Sequence, residues 1–316
     1  MKKITFILVL LAGTLGLNAQ EEAIFTHSFL NPFLTNPGAT GITGTHQVRM
    51  HLNQSWTGFK NAPQSYALTW NGPVANNMGL GVMLFTENAA ALTRYRGQLS
   101  YGFNFLVKED FRLGIGLSTE FHQERVPASV RDNPLYEGTD PLVEDRIDGA
   151  QWFDASMGMY GDYQNKVFFG LSTTNMVRAR LDDVDDDSFA DEIFNYGLAQ
   201  LGYRFDLTEY DVVLEPSVFL RKARNAPFLA DFAFRASFMD RRLTGGLLYR
   251  AGAGGQLGLL VGTRFNAFGI LYSYNVGFQR FQQYSNGTHE ITLSLDFPGK
   301  ALKAKQAATE EVPPTE

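Results

Sequence analysis

Hydrophobic and polar residues alternate along most of the chain between residues 47 and 297. In segment 93–107, Tyr95 and Leu99 belong to a mainly apolar set of alternate positions, and Gln98 belongs to the polar set between them. Successive side chains of a β-strand point to opposite sides, so this pattern predicts strands with one apolar and one polar face. The same alternation returns in segments 111–122, 230–238, 270–279 and 290–297.

The alternating region divides into about fourteen strands, an even number, as single-chain outer-membrane barrels have. The predicted strands start near residues 47, 64, 78, 92, 110, 151, 165, 194, 211, 228, 242, 257, 268 and 288. Most are about ten residues long, the length that a tilted strand needs to cross a membrane. The strand near 196–205 is ambiguous, because Leu198 and Leu201 fall on opposite faces. The pattern therefore predicts an all-β fold, a transmembrane outer-membrane β-barrel of about 14 antiparallel strands.

Short and long connections follow each other in this pattern. The tight connections are 108–110, 163–165, 239–242 and 266–267, whereas 124–150 and 175–193 are long loops. Outer-membrane barrels have short periplasmic turns and longer outer loops. A soluble β-sandwich, the alternative all-β fold, gives no reason for this alternation, so the connections favour the barrel.

The two ends of the chain differ from the alternating region. Lys2 and Lys3 precede an apolar stretch, residues 4–17, that is too short to span a bilayer. Residues 1–19 are therefore predicted to be a secretory signal peptide that is cleaved after Ala19. We expect three further parts: an irregular periplasmic lead-in or plug (20–46), the transmembrane barrel (47–297) and a disordered periplasmic tail (298–316).

Composition narrows the class of protein further. The chain has 44% hydrophobic residues and 26 phenylalanines, yet after the signal no apolar run reaches the ~18–20 residues of a membrane helix. A net charge of −6 argues against nucleic acid as a partner. Without cysteine, the chain has no disulfide, no thiol catalysis and no thiolate metal site.

The polar faces of the predicted strands carry charges of both signs, which a barrel would direct into its lumen. They are Arg94, Arg96, Arg112, Arg235, Arg250 and Arg264, with Glu120, Asp154, Glu215, Asp231, Glu290 and Asp296. One interpretation is a paired ion network that stiffens the wall. The other is a conduit whose local fields steer a passenger. Near-balanced signs argue against a strongly ion-selective pore.

Candidate chemistry is sparse in this sequence. The five histidines, at positions 27, 46, 51, 122 and 289, form no catalytic or metal-binding motif. His122 with Glu120 and Glu124 is the nearest approach to an acid–base site, and a hydrolase remains a third-ranked alternative. We expect no enzyme activity, no cofactor and no catalytic or metal site.

An acidic stretch lies in the second long loop. Asp183, Asp185 and Asp187 have the spacing of a calcium loop, but Ser188 and Phe194 replace its glycine and glutamate. The stretch is either a solvated charge run or a weak surface calcium site.

Three segments resemble the PorP/SprF family of type IX secretion membrane proteins from the Bacteroidetes. They are 29–41, with two Asn-Pro pairs and a following glycine; 53–64, with a W-x-G-F core and an Ala-Pro pair; and 76–82. The weaker strand pattern extends the resemblance over nearly all of the mature chain. The tail beyond residue 297 departs from the family, whose members are expected to end near the last aromatic strand.

The resemblance implies an outer-membrane accessory of type IX secretion that helps export or anchor secreted cargo at the cell surface. Such cargo would be adhesin-like proteins with a C-terminal sorting domain. The other expected partners are outer-membrane lipid and periplasmic secretion or peptidoglycan-binding components. An outer-membrane porin or substrate channel is the alternative function.

Two groups of residues are candidates for partner binding. The outer group lies in the first outer loop, where a membrane-interface anchor is the alternative role: Trp56, Gly58, Phe59 and Pro63. Loop 175–193 is a further outer candidate. The inner group lies in the lead-in: Asn31, Pro32, Asn36, Pro37 and Gly41. The prolines remove backbone donors, so the lead-in is predicted to be irregular, either a tether across the periplasmic mouth or a plug.

Overall fold

The computed structural model describes residues 25–299 apart from 109, 133–135, 137–140, 178, 182–195, 224–226, 253 and 280–283. The predicted signal peptide, the acidic stretch and the tail after Gly299 lie outside the described residues. Within the described residues, sixteen strand segments form one sheet: β1 (Thr45–Gln54), β2 (Gln64–Ala75), β3 (Met78–Ala89), β4 (Leu92–Lys108), β5 (Phe111–Arg125), β6 (Ala150–Tyr163), β7 (Val167–Thr174), β8 (Ala179–Arg180), β9 (Tyr196–Tyr203), β10 (Phe205–Leu207), β11 (Val212–Ala223), β12 (Leu229–Phe238), β13 (Leu243–Ala251), β14 (Gln256–Phe265), β15 (Phe268–Gly277) and β16 (Thr288–Pro298).

The sheet closes on itself as an antiparallel barrel. Leaving out the short β8 and β10, each strand pairs with the strands before and after it in the chain. β16 pairs with β1 from Thr45 opposite Pro298 to Gln54 opposite His289. The two-residue β8 pairs with β6 beyond the end of β7, and β10 continues β9 along β11. Sixteen segments therefore occupy fourteen positions in the wall, which confirms the predicted barrel and its strand number. The predicted strand starts lie within about two residues of the observed ones.

The break between β9 and β10 has a local cause. β11 pairs with β9 from Ser217 onward and with β10 up to Leu214, in one continuous register. In this register Pro216 lies opposite Tyr203, the last residue before the break, and proline has no N–H to donate to a ladder. The interruption is therefore a gap in hydrogen bonding, and the strand position itself continues.

The two faces of the wall have opposite polarity. Leu99 and Leu117 point outward and are 56% and 57% exposed, whereas Ser100 and Ser118 on the inner face are buried. An apolar exterior suits hydrocarbon, and closure leaves no unpaired sheet edge. Leu201 belongs to the outer face at 53% exposure, and Leu198 is buried on the inner one.

The connections separate the two rims. The connections at the predicted periplasmic end, which we call the inner rim, include the two-residue turn 266–267. Asn266 in this turn has φ 53°, a left-handed value that asparagine tolerates well. The outer connections include 126–149, which contains the helix α1 (Pro141–Asp148). One outer connection, residues 90–91, is as short as the inner turns. No helix among the described residues is long and apolar enough to cross a membrane.

Before the first strand, the described part of the lead-in (residues 25–44) forms three short 3-10 turns. They are Thr26–Phe29, Pro32–Leu34 and Pro37–Ala39. The two prolines begin their turns, where a missing N–H costs nothing. Side chains from strands around the whole ring contact this segment, which only a position inside the lumen allows.

Candidate functional site: the occupied lumen

The lead-in runs along the lumen from the inner rim toward the outer one. Gly41 lies against Gly79, beside the inner turn 76–77. His27, further back in the chain, lies beside Glu290 near the outer end of β16. The lead-in therefore spans most of the depth of the barrel.

Glycines on the inner face make room for the backbone of the lead-in and for its side chains Phe33 and Asn36. A Cβ added at Gly102 would lie 2.6 Å from the carbonyl oxygen of Thr40, and one at Gly116 would overlap the carbonyl of Pro37. We call the whole group, which lies on strands β3 to β6, the glycine lane: Gly79, Gly81, Gly102, Gly114, Gly116 and Gly158. Any larger residue in the lane would push the lead-in away from the wall.

Apolar side chains of the lead-in fill the lumen on two sides. Phe33 is 1% exposed and packs in a buried cluster with Met83 and Phe85 of β3. On the opposite wall, Phe29 and Leu30 pack against a second cluster: Ala233, Leu248, Leu260 and Leu271. The lead-in thus bridges the lumen between two walls.

Two asparagines of the lead-in bond to the wall. Asn36 Nδ2 donates to the carbonyl oxygens of Met159 at 2.9 Å and Leu171 at 3.3 Å, and its Oδ1 accepts from Gly38 N. Asn31 Nδ2 lies 3.1 Å from Thr69 Oγ1 and 3.1 Å from His51 Nε2. The amides of both asparagines therefore have partners on the wall, as burial requires.

Most of the predicted lumen charges form ion pairs with one another. Several carboxylates are shared between two guanidinium groups: Glu215 by Arg204 and Arg235, Asp231 by Arg221 and Arg250, Asp296 by Arg49 and Arg264, and Glu124 by Arg94 and Arg146. Arg96 lies 4.0 Å from Glu120, Arg112 donates to Asn165 Oδ1, and Asp154 accepts from two backbone N–H groups. Such pairing offsets the cost of partly buried charge.

The acid–base candidate at His122 does not assemble as a three-residue site. His122 Nε2 lies 3.2 Å from Glu120, and its ring stacks on Trp152 with centroids 5.4 Å apart. Glu124 instead accepts from Arg94 at 2.8 Å and Arg146 at 2.9 Å. One buried carboxylate therefore faces this histidine.

The outer group of partner candidates lies on an exposed rim. Trp56 and Phe59 are 39% and 40% exposed, and Gly58 adopts φ 102°, a value that favours glycine. Thr57 N donates to Gly287 O at 2.9 Å, which ties this loop to the connection before β16. Pro63 O accepts from Ser55 N and closes the loop at its base.

The inner group of candidates is placed differently. Asn31, Asn36, Pro37 and Gly41 are buried in the lumen, and Pro32 is half-buried. Their side chains and backbone contact the barrel wall itself. The described part of the other outer candidate, loop 175–193, ends at residue 181.

At the outer rim, helix α1 is held to the barrel by charges. Arg146 of α1 pairs with Glu124 of β5, and Asp145 pairs with Arg180 of β8 at 2.6 Å. Within the loop, hydrogen bonds from Arg131 and Tyr136 lower the pKa of Glu144 to about 2.

Comparison with known proteins identifies the family. The model of the type IX secretion system membrane protein PorP/SprF family matches residues 17–295, which is most of the chain. The chain belongs to the PorP/SprF family. The match covers the lead-in and all but the last residues of the barrel, so both are part of the PorP/SprF pattern.

Solved outer-membrane barrels are similar to this PorP/SprF chain in fold. KdgM porin has 6% identity and a TM-score of 0.40, covering 79% of this chain and 99% of that one. Omp33 from Acinetobacter baumannii has 8% identity and a TM-score of 0.45, covering 81% and 99%. A deletion mutant of the monoaromatic hydrocarbon channel TodX has 9% identity and a TM-score of 0.46, covering 83% and 92%. A comparison with curated proteins gave no match.

Sequence reasoning missed two features of this PorP/SprF lumen. The glycine lane was visible as Gly-x-Gly pairs, at 79–81 and 114–116, on predicted inner faces. The meeting of His27 with Glu290 had no local signal, since 263 residues separate them.

Proposed function

We propose that this protein is an outer-membrane accessory of type IX secretion that helps export or anchor particular cargo at the cell surface. The cargo would be adhesin-like proteins with a C-terminal sorting domain. Membership of the PorP/SprF family supports the secretion role. The signal peptide would direct export of the barrel itself to the outer membrane.

The observation that carries this proposal is the occupied lumen. Phe29 and Leu30 pack on one wall and Phe33 on the other, so the lead-in takes up the space that a porin leaves to water. The surfaces left for a protein partner are the two rims. At the outer rim, Trp56 and Phe59 are the exposed aromatics of the first loop, and aromatic side chains are enriched where proteins bind each other.

Periplasmic components of the secretion system, or a peptidoglycan-binding protein, would contact the opposite rim. The inner turns are the described parts of the chain that this rim offers. We expect no catalysis by this protein, because Glu124, the second carboxylate near His122, is bound by two arginines.

The test is an affinity pull-down of the tagged barrel from detergent-solubilised outer membranes, read by mass spectrometry. The variant Trp56→Ala/Phe59→Ala is compared with the wild type and with Phe265→Ala. Phe265 is an exposed aromatic at the opposite, inner rim, and it serves as the matched control.

We expect wild type and Phe265→Ala to recover a secreted protein that carries a C-terminal sorting domain. The double variant should recover about tenfold less, as the loss of an interface hot spot predicts. Equal recovery by all three proteins would exclude this loop as the cargo surface. A barrel recovered alone, from cells that express the secretion machinery, would favour the porin alternative.

A further inference from the structure

Three potential metal ligands meet inside the lumen. His27 of the lead-in, His51 of β1 and Glu290 of β16 bring ligand atoms within 4.8 Å of one another. Each of the three residues is 0% exposed. Among the residues that the structure describes, this is the one such group of three.

The surroundings of the two imidazoles suit ligation through Nδ1. His27 Nε2 lies 2.9 Å from Ser273 Oγ, so a proton on Nε2 has an acceptor there. The Nδ1 atoms of His27 and His51 both face Thr292 Oγ1, at 2.7 and 2.8 Å. One hydroxyl has one proton and can donate to one of these nitrogens only. A cation beside Thr292 would be bound by the Nδ1 lone pairs of both histidines.

Asn31 gives His51 Nε2 a hydrogen-bond partner, as Ser273 does for His27 Nε2. Its amide lies 3.1 Å from both His51 Nε2 and Thr69 Oγ1. As placed, Asn31 Nδ2 donates to Thr69 Oγ1. With the amide flipped, Oδ1 would accept from the His51 Nε2–H and from the Thr69 hydroxyl, and the choice of O or N follows the network. Hydrogen bonds at Nε2 that fix the tautomer and ring orientation are the usual support of a metal-bound histidine.

Glu290 supplies a negative charge at this point. Its carboxylate accepts from Thr26 N at 2.7 Å and His27 N at 2.9 Å, and His27 Nδ1 lies 3.4 Å away. A buried carboxylate is costly unless a positive charge compensates it. Two histidines and one glutamate are a known protein ligand set for zinc.

We propose that His27, His51 and Glu290 bind one divalent transition-metal ion of the zinc class. Thr292 or a water molecule would supply a fourth oxygen ligand. The ion would join the lead-in to the first and last strands, where the barrel closes. A cavity lined by Thr26, Ser28 and Asn275, among others, lies next to the lead-in residue His27. This site is independent of the cargo role.

The test is metal binding by the full-length barrel in detergent, after treatment with a chelator. Co²⁺ is the spectroscopic probe, read by its visible absorption, and Zn²⁺ per chain is measured by elemental analysis. The variants are His51→Ala and Glu290→Gln. His289→Ala is the matched control, because His289 is next to Glu290 on β16 and contacts Tyr272 and Tyr274 on the outer face.

We expect one ion per chain for wild type and His289→Ala, and none for the other two variants. Asn31→Ala, which removes the support of His51, should weaken binding about 10- to 100-fold. Each sample is run on a gel with and without heating. A sample that migrates more slowly after heating was a folded barrel before it. If His51→Ala does not fold, Glu290→Gln, which keeps the size of the side chain, decides the question.

Two results would overturn the proposal. One is a folded wild-type barrel that retains neither ion. The other is Co²⁺ absorption that is unchanged in Glu290→Gln. Either would mean that hydrogen bonds alone join His27, His51 and Thr292.

Discussion

Single glycines decide how closely the lead-in approaches the wall. At Gly116, a Cβ would overlap the carbonyl of Pro37, and Gly38 N would be 2.7 Å away. Both are backbone atoms, which cannot turn aside as a flexible side chain can. A Cβ added at Gly97, on the outer face of β4, would meet no atom of the described residues within 4 Å.

We therefore expect Gly116→Ala to lower the free energy of unfolding by about 1–3 kcal/mol, the usual cost of overpacking. Gly97→Ala is the control and should change it by less than about 0.5 kcal/mol. Urea titration of both variants in detergent measures the difference. Equal effects of the two substitutions would mean that the lane does not constrain the lead-in.

At the same scale, the sequence predicts the inward direction of many charges but not their partners. Alternation alone places Arg235 and Asp231 on one face of β12. It does not indicate that Arg235 binds Glu215 of β11, whereas Asp231 binds Arg221 and Arg250. These pairs depend on the register between strands, which a single sequence does not specify.

At the scale of elements, the strands were predictable because each repeats a two-residue period over about ten residues. The structure of the lead-in was less predictable from the sequence. Its prolines predict an irregular chain, and both a tether and a plug satisfy that pattern. Its contacts with β3, β5 and β12 arise only once the barrel has closed. The splitting of β9 and β10 was also missed, although Pro216 was its visible cause.

One of the two ion pairs that join helix α1 to the barrel uses a carboxylate of β5. Glu124 accepts from Arg94 and from Arg146 of α1, and Val126 N donates to Arg146 O at 2.9 Å. Glu144, by contrast, pairs with Arg131 inside the same loop at 2.5 Å. Loss of the first pair should loosen the loop, which the Asp145–Arg180 pair still joins to the barrel, and loss of the second should not.

Glu124→Gln is therefore expected to weaken the attachment of the loop by about 1–2 kcal/mol, since charge-assisted hydrogen bonds are lost. This corresponds to roughly a 5- to 30-fold larger open population. Trypsin cleavage of loop 126–149 on whole cells measures that population. Glu144→Gln is the control, and faster cleavage of this variant than of Glu124→Gln would contradict the assignment.

At the scale of the whole molecule, the lead-in decides between an accessory and a channel. A fourteen-stranded wall encloses more space than its own side chains fill, and barrels of this kind are either open to water or plugged. Here one segment contacts the wall from β3 to β16, and Arg235 lies over the ring of Phe29, 5.6 Å from its centroid. The lead-in is part of the same chain, so the effect of its removal can be tested directly.

We expect full-length protein in a planar bilayer to carry little current. Deletion of residues 25–41 should open the lumen and raise the mean current about tenfold or more, toward that of a water-filled barrel. Deletion of residues 300–316, equal in length and at the other end of the sequence, is the matched control and should leave the current unchanged. If full-length protein conducts as well as the lead-in deletion, a continuous path bypasses the lead-in. The protein would then act as a channel, and the accessory role would lose its structural support.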